Sequence, residues 1–175
     1  MPGAVVALCV LLVGACSDGD DPGAERRARP YVDALADGLA LADPLDLDLT
    51  TEQATCVAKR WIDALDPDEL RKSDVTPGDL DDADGADAAL EDADEEQAGR
   101  LLAAYDPCEV DVRAEFMRRV QADLTTADAT CLEEGISDDM VRKVAVDEMI
   151  DAHDAAVTTE LFEALASCSG PGPEP

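Results

Sequence analysis

The side chains with the most distinctive chemistry in this sequence are its cysteines, of which there are six. Cys9 and Cys16 lie in an N-terminal apolar segment. No two of the remaining four have Cys-x-x-Cys spacing, which argues against a redox motif and against a zinc knuckle. An even number of cysteines in an exported chain is typical of disulfides. We therefore predict two disulfides, formed by Cys56, Cys108, Cys131 and Cys168.

A second candidate for chemistry is the stretch 79–96, where ten of 18 residues are acidic and none is basic. Aligned as an EF-hand loop with its glycine at position six, it places Asp82 at position three, Asp84 at position five and Glu91 at position twelve. Position one is Leu80, where an EF-hand needs a carboxylate that ligates the calcium ion. We favour a solvated acidic loop. Low-affinity divalent-cation binding through Asp82, Asp84 and Glu91 remains the alternative.

Catalytic patterns are weak in this chain. His153 is the sole histidine and lies at the edge of an apolar helical face, which favours a surface or boundary position over a metal site. With 42 acidic residues, pairs of carboxylates carry no information about general acid and base catalysis. The sequence has neither a Gly-x-Ser-x-Gly elbow nor a phosphate-binding loop. We therefore expect no catalytic residues, no specific metal site and no cofactor; an envelope hydrolase is the weakest alternative.

The charge balance restricts the choice of partners. The 42 acidic residues against 13 basic ones give a formal net charge of −29. This negative charge repels the phosphates of nucleic acids, so we expect no nucleic-acid binding. It favours instead a cationic protein or peptide as partner.

The N-terminal residues predict the compartment. Residues 4–15 are apolar and too few to span a bilayer, and a polar segment follows Cys16 at once. Residues 13–16 read "VGAC" and resemble the lipobox of bacterial lipoproteins, although the preceding residues contain no Lys or Arg. We predict a signal peptide at 1–15, and a lipid on Cys16 that holds the protein to the extracytoplasmic face of a bacterial cell membrane. A buried N-terminal helix is the alternative.

An eight-residue stretch that occurs twice, called here the repeated phrase, indicates the helices that carry two of the cysteines. Residues 49–56 read "LTTEQATC" and residues 124–131 read "LTTADATC". In each copy the first Thr has the pattern of a helix N-cap, because Thr50 is followed three residues later by Gln53, and Thr125 by Asp128. The phrase thus predicts the start of a helix that carries a cysteine about one and a half turns further on.

The residues around each phrase complete a helical unit. Apolar residues continue from the first copy at helical spacing and predict a buried face. Asp66, before Pro67, and Ser137 are candidate caps of the next helices. A leading helix precedes each phrase, and a closing helix is expected to end at each later cysteine. The predicted face consists of Ala54, Val57, Ala58, Trp61, Ile62 and Leu65.

These patterns predict an all-α fold of two related, disulfide-stapled helical units packed as one small bundle-like domain. Unit 1 covers 31–108 and unit 2 covers 109–168, with a flexible tether at 16–30 and a disordered tail at 169–175. The economical pairing lies within units, Cys56 with Cys108 and Cys131 with Cys168. A pairing between units, Cys56 with Cys131 and Cys108 with Cys168, remains open.

Over about residues 31–168 the arrangement resembles a set of uncharacterised Ala- and Asp-rich exported proteins of actinobacteria. They share a Tyr-led helix, a Thr-capped Cys helix and a closing Leu-rich Cys helix, sometimes in tandem. The resemblance implies no activity, cofactor or substrate. The sequence as a whole therefore predicts a non-catalytic accessory or interaction module of the cell envelope, whose acidic surface binds a cationic partner.

Overall fold

A computed structural model describes residues 22–122, 126–152 and 154–168. Within these ranges the chain is α-helical without strands, which confirms the predicted all-α class. The predicted signal peptide 1–15, Cys16, Thr125, His153 and the predicted tail 169–175 lie outside the described residues. The α-helices are α1 (Pro22–Leu41), α2 (Thr51–Leu65), α3 (Pro67–Lys72), α4 (Gly85–Leu90), α5 (Glu95–Leu102), α6 (Val112–Gln121), α7 (Thr126–Gly135), α8 (Asp138–Met149) and α9 (Ala155–Cys168), with 3-10 helices at Pro77–Asp79 and Asp106–Cys108.

The predicted helix caps form where their residues are described. Thr50 and Gln53 make a capping box, in which the Thr50 hydroxyl accepts from the Gln53 backbone N–H at 3.2 Å. The Gln53 side chain accepts from the Thr50 N–H at 3.0 Å. Asp66 accepts from the Asp68 N–H at the start of α3, and Ser137 caps α8. The starts of these helices are thus fixed by local side-chain chemistry.

The first core lies between α1, α2 and α5. All six apolar residues predicted on α2 are buried, and Trp61 is completely inaccessible to solvent. The Trp61 indole N–H donates to the Leu101 carbonyl oxygen of α5 at 3.0 Å, so its polar atom is satisfied inside the core. Tyr31 of α1 is buried in the same core, and its hydroxyl donates to the Val75 carbonyl oxygen at 3.2 Å.

The second core is smaller and shares a helix with the first. Phe116, Met117, Leu132, Ile136, Val141 and Cys168 are its buried residues in the described part of the chain. Helix α8 contributes Val141 to this core, and contributes Ala145, Val146 and Met149 to the first. Arg142 of α8 also donates to the Gly99 carbonyl oxygen of α5 at 3.1 Å. The two helical units therefore pack together through α8.

The predicted flexible tether is partly wrong, because residues 22–30 are the first half of α1. Six of its nine residues are Ala, Arg or Glu, which favour helix. Ala28 packs against the first core, and Arg27 forms an ion pair with Asp68 of α3 at 3.9 Å. Packing and ion pairs thus order a segment that its Gly and Pro content alone would leave flexible.

The predicted acidic loop at 79–96 is also wrong in part. Residues 85–90 form α4, and α5 begins at Glu95. Apolar residues between the acids explain why these helices form, because Leu80, Ala86 and Leu90 are buried in the first core. The acids occupy the exposed side of short helices and the turns between them.

Two glycines bring the acidic stretch against α1. A Cβ on Gly38 of α1 would lie 2.4 Å from the Leu80 carbonyl oxygen, and a Cβ on Gly85 would lie 2.3 Å from the same atom. No other residue type tolerates such an approach of the backbone without a shift. Both glycines are therefore required for the Leu80 side chain to be buried in the core.

The closing helix of unit 1 ends earlier than predicted. Helix α5 stops at Leu102, and Cys108 lies in the following 3-10 helix. Pro107 has no N–H to donate to the carbonyl four residues earlier, so α5 cannot continue as a regular α-helix to Cys108. In unit 2, Cys168 belongs to α9 and is the last residue that the structure describes.

Candidate functional site

The four cysteines form two disulfides within the units, as predicted. Cys56 of α2 is joined to Cys108, with Cα atoms 5.7 Å apart, and Cys131 of α7 is joined to Cys168 of α9, with Cα atoms 5.5 Å apart. The alternative pairing between units is wrong. With all four sulfurs in disulfides, none of these cysteines is a thiolate nucleophile. Each disulfide links the helix that carries the first cysteine of a unit to the last residue of that unit.

The three proposed cation ligands do not form an EF-hand loop. Asp84 is the N-cap of α4 and Glu91 is its C-cap, so the helix holds their backbones about 10 Å apart along its axis. In an EF-hand the corresponding residues wrap around one ion. The Asp82 side chain accepts a hydrogen bond from the Asp84 N–H at 3.0 Å. Among the described residues, no group of three or more His, Cys, Asp or Glu side chains is arranged to hold a metal ion.

Two acids of this stretch make hydrogen bonds at the starts of helices instead. The Asp94 side chain accepts from the Gln97 N–H at 2.7 Å and begins α5. The Asp79 carboxylate accepts from the hydroxyl and the N–H of Thr76, and these hydrogen bonds lower the pKa of Asp79. Negative side chains are favourable at these positions because the helix N-terminus carries partial positive charge. The pattern Asp-x-x-Gln at 94–97 is a sequence signal for the start of α5.

A buried polar pair was not predicted from the sequence. The Tyr105 hydroxyl donates to Oδ2 of Asp43 at 2.7 Å, and Oδ1 of Asp43 accepts from the Leu45 N–H at 2.9 Å. Asp43 is 8% exposed and Tyr105 is fully buried. The ring of Trp61 packs against that of Tyr105 edge to face, with centroids 6.1 Å apart. Asp43 and Tyr105 thus form a buried polar contact beside the apolar residues of the first core.

Burial governs the protonation of this pair. Loss of solvent raises the pKa of Asp43, although hydrogen bonds from Tyr105 and from the backbone of Leu45 and Leu47 oppose it. Burial and the negative charge of Asp43 raise the pKa of Tyr105 well above its usual range, so the phenol stays a donor. Raised carboxyl pKa values also occur in active sites. Here both side chains are closed off from solvent, and their geometry is that of a structural hydrogen bond.

The groove between α5, α8 and α9 has a volume of about 560 Å³ and mixed charge. Its basic residues are engaged locally. Arg100 pairs with Glu96 at 2.8 Å, Lys143 pairs with Asp139 at 2.9 Å, and Arg142 donates to Gly99. Six acidic and three basic residues line the groove, so it is negatively charged as a whole, and its bases already have partners.

Within residues 22–122, 126–152 and 154–168, none of the helices is both long enough and apolar enough to cross a membrane. Comparison of the chain with protein-family models, with curated proteins and with solved structures found no match.

Proposed function

We propose that this protein is a non-catalytic lipoprotein of the bacterial cell envelope, an accessory or interaction module whose acidic surface binds a cationic partner. The observation that carries the proposal is the distribution of charge. Of the 13 basic residues, at least ten lie within 4.0 Å of a carboxylate, so their charge is balanced locally. These ten are Arg27, Arg29, Lys59, Arg71, Lys72, Arg100, Arg113, Arg118, Arg119 and Lys143.

Most of the 42 acidic residues have no basic residue to balance them, because the sequence contains only 13. The acidic residues are most concentrated where Lys and Arg are absent. Residues 73–99 contain no Lys or Arg. Asp81, Asp87 and Glu91 in this range are exposed. A surface of one sign raises the rate at which an oppositely charged protein associates, and it discriminates against anionic partners. This supports a basic protein segment as the partner.

A binding titration with poly-lysine, performed on the full chain, tests the acidic surface. We expect the triple variant Asp81→Asn/Asp87→Asn/Glu91→Gln to bind more weakly than the wild type, and the difference to shrink as salt is added. The variant Asp81→Glu/Asp87→Glu/Glu91→Asp keeps the charge and serves as the matched control. If the wild type does not bind poly-lysine even at low salt, the proposal of a cationic partner fails.

The lipid anchor is tested separately, by intact-mass measurement of the native protein. Cleavage before Cys16 and acylation of Cys16 would shift the mass by the loss of residues 1–15 and the gain of acyl groups. The variant Cys16→Ala should remain unacylated and leave the membrane fraction. A native protein whose mass shows no lipid would contradict the anchored location.

A further inference from the structure

A small pocket lies between α2, α3, α4 and the turn that precedes α5. Its volume is about 200 Å³. Three of its six apolar residues are alanines, whose short side chains leave this space open. Leu65 and Leu70 line it as well, and both are buried in the first core. We call it the Ala93 pocket, and its apolar residues are Leu65, Leu70, Val75, Ala88, Ala89 and Ala93.

The charged residues that line the Ala93 pocket are all acidic. They are Glu69, Glu91 and Asp92, and each of the three is exposed to solvent. Ser73 and Gln97 complete the lining, so no Lys or Arg belongs to it. The pocket therefore combines buried apolar walls with negative charge on the side that faces solvent.

Glu91 and Asp92 carry charge that no base offsets by contact. Neither carboxylate forms an ion pair in the part of the chain that the structure describes. Lys72 and Arg100 are the bases that flank this stretch in the sequence, and each forms an ion pair within its own helix. Two carboxylates without a counter-charge thus stand beside an apolar pocket.

We propose that the Ala93 pocket holds one Lys or Arg side chain of the cationic partner. The CH₂ stem of that side chain packs on the apolar walls, and its charged head reaches Glu91 and Asp92. Lys and Arg bury their stems along apolar surface while their heads stay in polar surroundings. A cationic head and a carboxylate form charge-assisted hydrogen bonds, which are stronger than neutral ones. The inference rests on the proposed function, because it gives the cationic partner a position on the molecule.

The chemistry of the pocket favours this occupant over three others. A purely apolar side chain would fill the walls but would take water from two carboxylates without giving them a partner. A metal ion needs a convergent set of ligands, and the described residues contain no group of three or more acidic, His or Cys side chains arranged in that way. A second copy of the chain would bring its own net charge of −29, which opposes association.

Two labelled peptides of equal charge test the proposal by fluorescence anisotropy with the full chain. One is an oligomer of about eight Lys residues, and the other is an oligomer of 2,4-diaminobutyrate of the same length, whose stems are shorter by two CH₂ groups. Both are used at a pH at which every side-chain amine is protonated. We expect the wild type to bind oligolysine about tenfold more tightly at ~0.1 M salt, because each CH₂ group that enters the pocket strengthens binding about fourfold.

Filling the pocket should remove this preference. Ala93 is half-buried, and the larger side chain of Ala93→Leu would occupy the space that the Lys stem needs. We expect oligolysine binding to weaken about tenfold, and binding of the shorter peptide to stay within about threefold of the wild type. Ala166→Leu is the matched control, because Ala166 is exposed on α9 and does not line the pocket. It should leave both affinities within about twofold.

Removal of the two carboxylates tests the contact with the charged head. Glu91→Gln/Asp92→Asn should weaken oligolysine binding about tenfold. Asp81→Asn/Asp87→Asn removes the same charge from exposed positions of the same base-free stretch, outside the pocket, and should cost about twofold. These four side chains are exposed, so the packing of the core is unchanged and the test remains decisive even if Ala93→Leu does not fold.

The outcomes separate the pocket from the proposed function. If neither peptide binds the wild type, the acidic surface has no affinity for cations and both proposals fail. If both peptides bind equally well, or if a folded Ala93→Leu keeps the preference for oligolysine, the pocket is wrong while the cationic partner stands. Equal losses in the two charge-removing variants would show a diffuse attraction and would also overturn the pocket.

Discussion

Tyr105 and Asp43 are joined by a 2.7 Å hydrogen bond across 62 residues of sequence, inside the first core. Asp43 lies in the turn after α1, and Tyr105 lies between α5 and the 3-10 helix that carries Cys108. Both oxygens of the carboxyl group are used, because the Leu45 N–H donates to the other one at 2.9 Å. The pair therefore fixes the end of α1 to the segment that leads into the first disulfide.

The buried Asp43 makes stability depend on pH. Burial raises its pKa in the folded state above that of the unfolded chain, so the folded protein takes up a proton more readily. This contribution is complete below the unfolded pKa, near 3.9 for an exposed Asp, and is lost as pH rises through the folded value. Asp43→Asn cannot titrate. We expect the wild type to gain stability relative to Asp43→Asn as pH falls from about 7 to about 4.

Urea unfolding of the two proteins at several pH values measures this difference. Burial also raises the pKa of Glu148, but that group is present in both proteins and cancels in the comparison. The side-chain amide introduced by Asp43→Asn can still accept from the Leu45 N–H and can donate to the Tyr105 hydroxyl, so the core should stay folded. If the unfolding free energy of the wild type minus that of Asp43→Asn stayed constant or decreased as pH falls, a raised pKa of Asp43 would be contradicted.

Apart from the cysteine pairing, the features that the sequence predicts correctly are local ones. Thr50 and Gln53 are three residues apart, so their reciprocal hydrogen bonds depend only on the start of one helix. The buried face of α2 follows from helical periodicity alone. The cysteine pairing was predicted because a repeat divides the chain into two units, and each disulfide closes one of them.

The features that were missed depend on tertiary packing. Nothing near Asp43 in the sequence indicates that Tyr105 approaches it, because the contact forms only when α1 and α5 pack on α2. Composition predicts a tether at 16–30, yet Ala28 packs against the core and Arg27 pairs with Asp68 of α3. The acidic stretch was predicted as a loop because its charge obscured the few apolar residues that are buried.

The arrangement of Asp84 and Glu91 leads to a prediction about calcium. They occupy the N-cap and C-cap positions at opposite ends of α4 instead of wrapping an ion, so calcium should act only through its charge. We expect millimolar CaCl₂ and MgCl₂ to shift the midpoint of thermal unfolding equally, and NaCl of equal ionic strength to account for most of the shift. Asp82→Asn/Glu91→Gln should respond in the same way as the wild type. A shift specific to calcium, abolished in that variant, would instead establish the cation-binding function.

The contact of Gly38 with Leu80 predicts a costly substitution. Alanine is the better helix former by about 1 kcal/mol, yet a Cβ at position 38 would lie 2.4 Å from the Leu80 carbonyl oxygen and 2.9 Å from that of Asp82. We expect Gly38→Ala to lower the free energy of unfolding by about 1–3 kcal/mol, as for other overpacked sites. Gly135→Ala is the control, since a Cβ there meets no atom within 4 Å. It should be neutral or slightly stabilising, and equal effects of the two substitutions would refute the contact.

Loss of the second disulfide should disrupt its unit more than loss of the first, although the loops that the two disulfides close are similar in length. They span 52 and 37 residues, so each stabilises its unit by about 4 kcal/mol in the chain-entropy model. The second core is much the smaller, and Cys168 itself is part of it. We therefore expect Cys131→Ser/Cys168→Ser to expose α7 and α9 to proteolysis. Cys56→Ser/Cys108→Ser should only lower the urea midpoint.

Trp61 provides the readout that distinguishes the units. It is fully buried in the first core and is the sole tryptophan of the chain, so its emission reports on that core alone. In Cys131→Ser/Cys168→Ser the emission should stay that of a buried indole while proteolysis of the second unit accelerates. Ala145, Val146 and Met149 anchor α8 to the first core and should hold that helix in place. A red shift of Trp61 emission in step with the proteolysis would show instead that the two units unfold as one, and that the second disulfide stabilises the whole molecule.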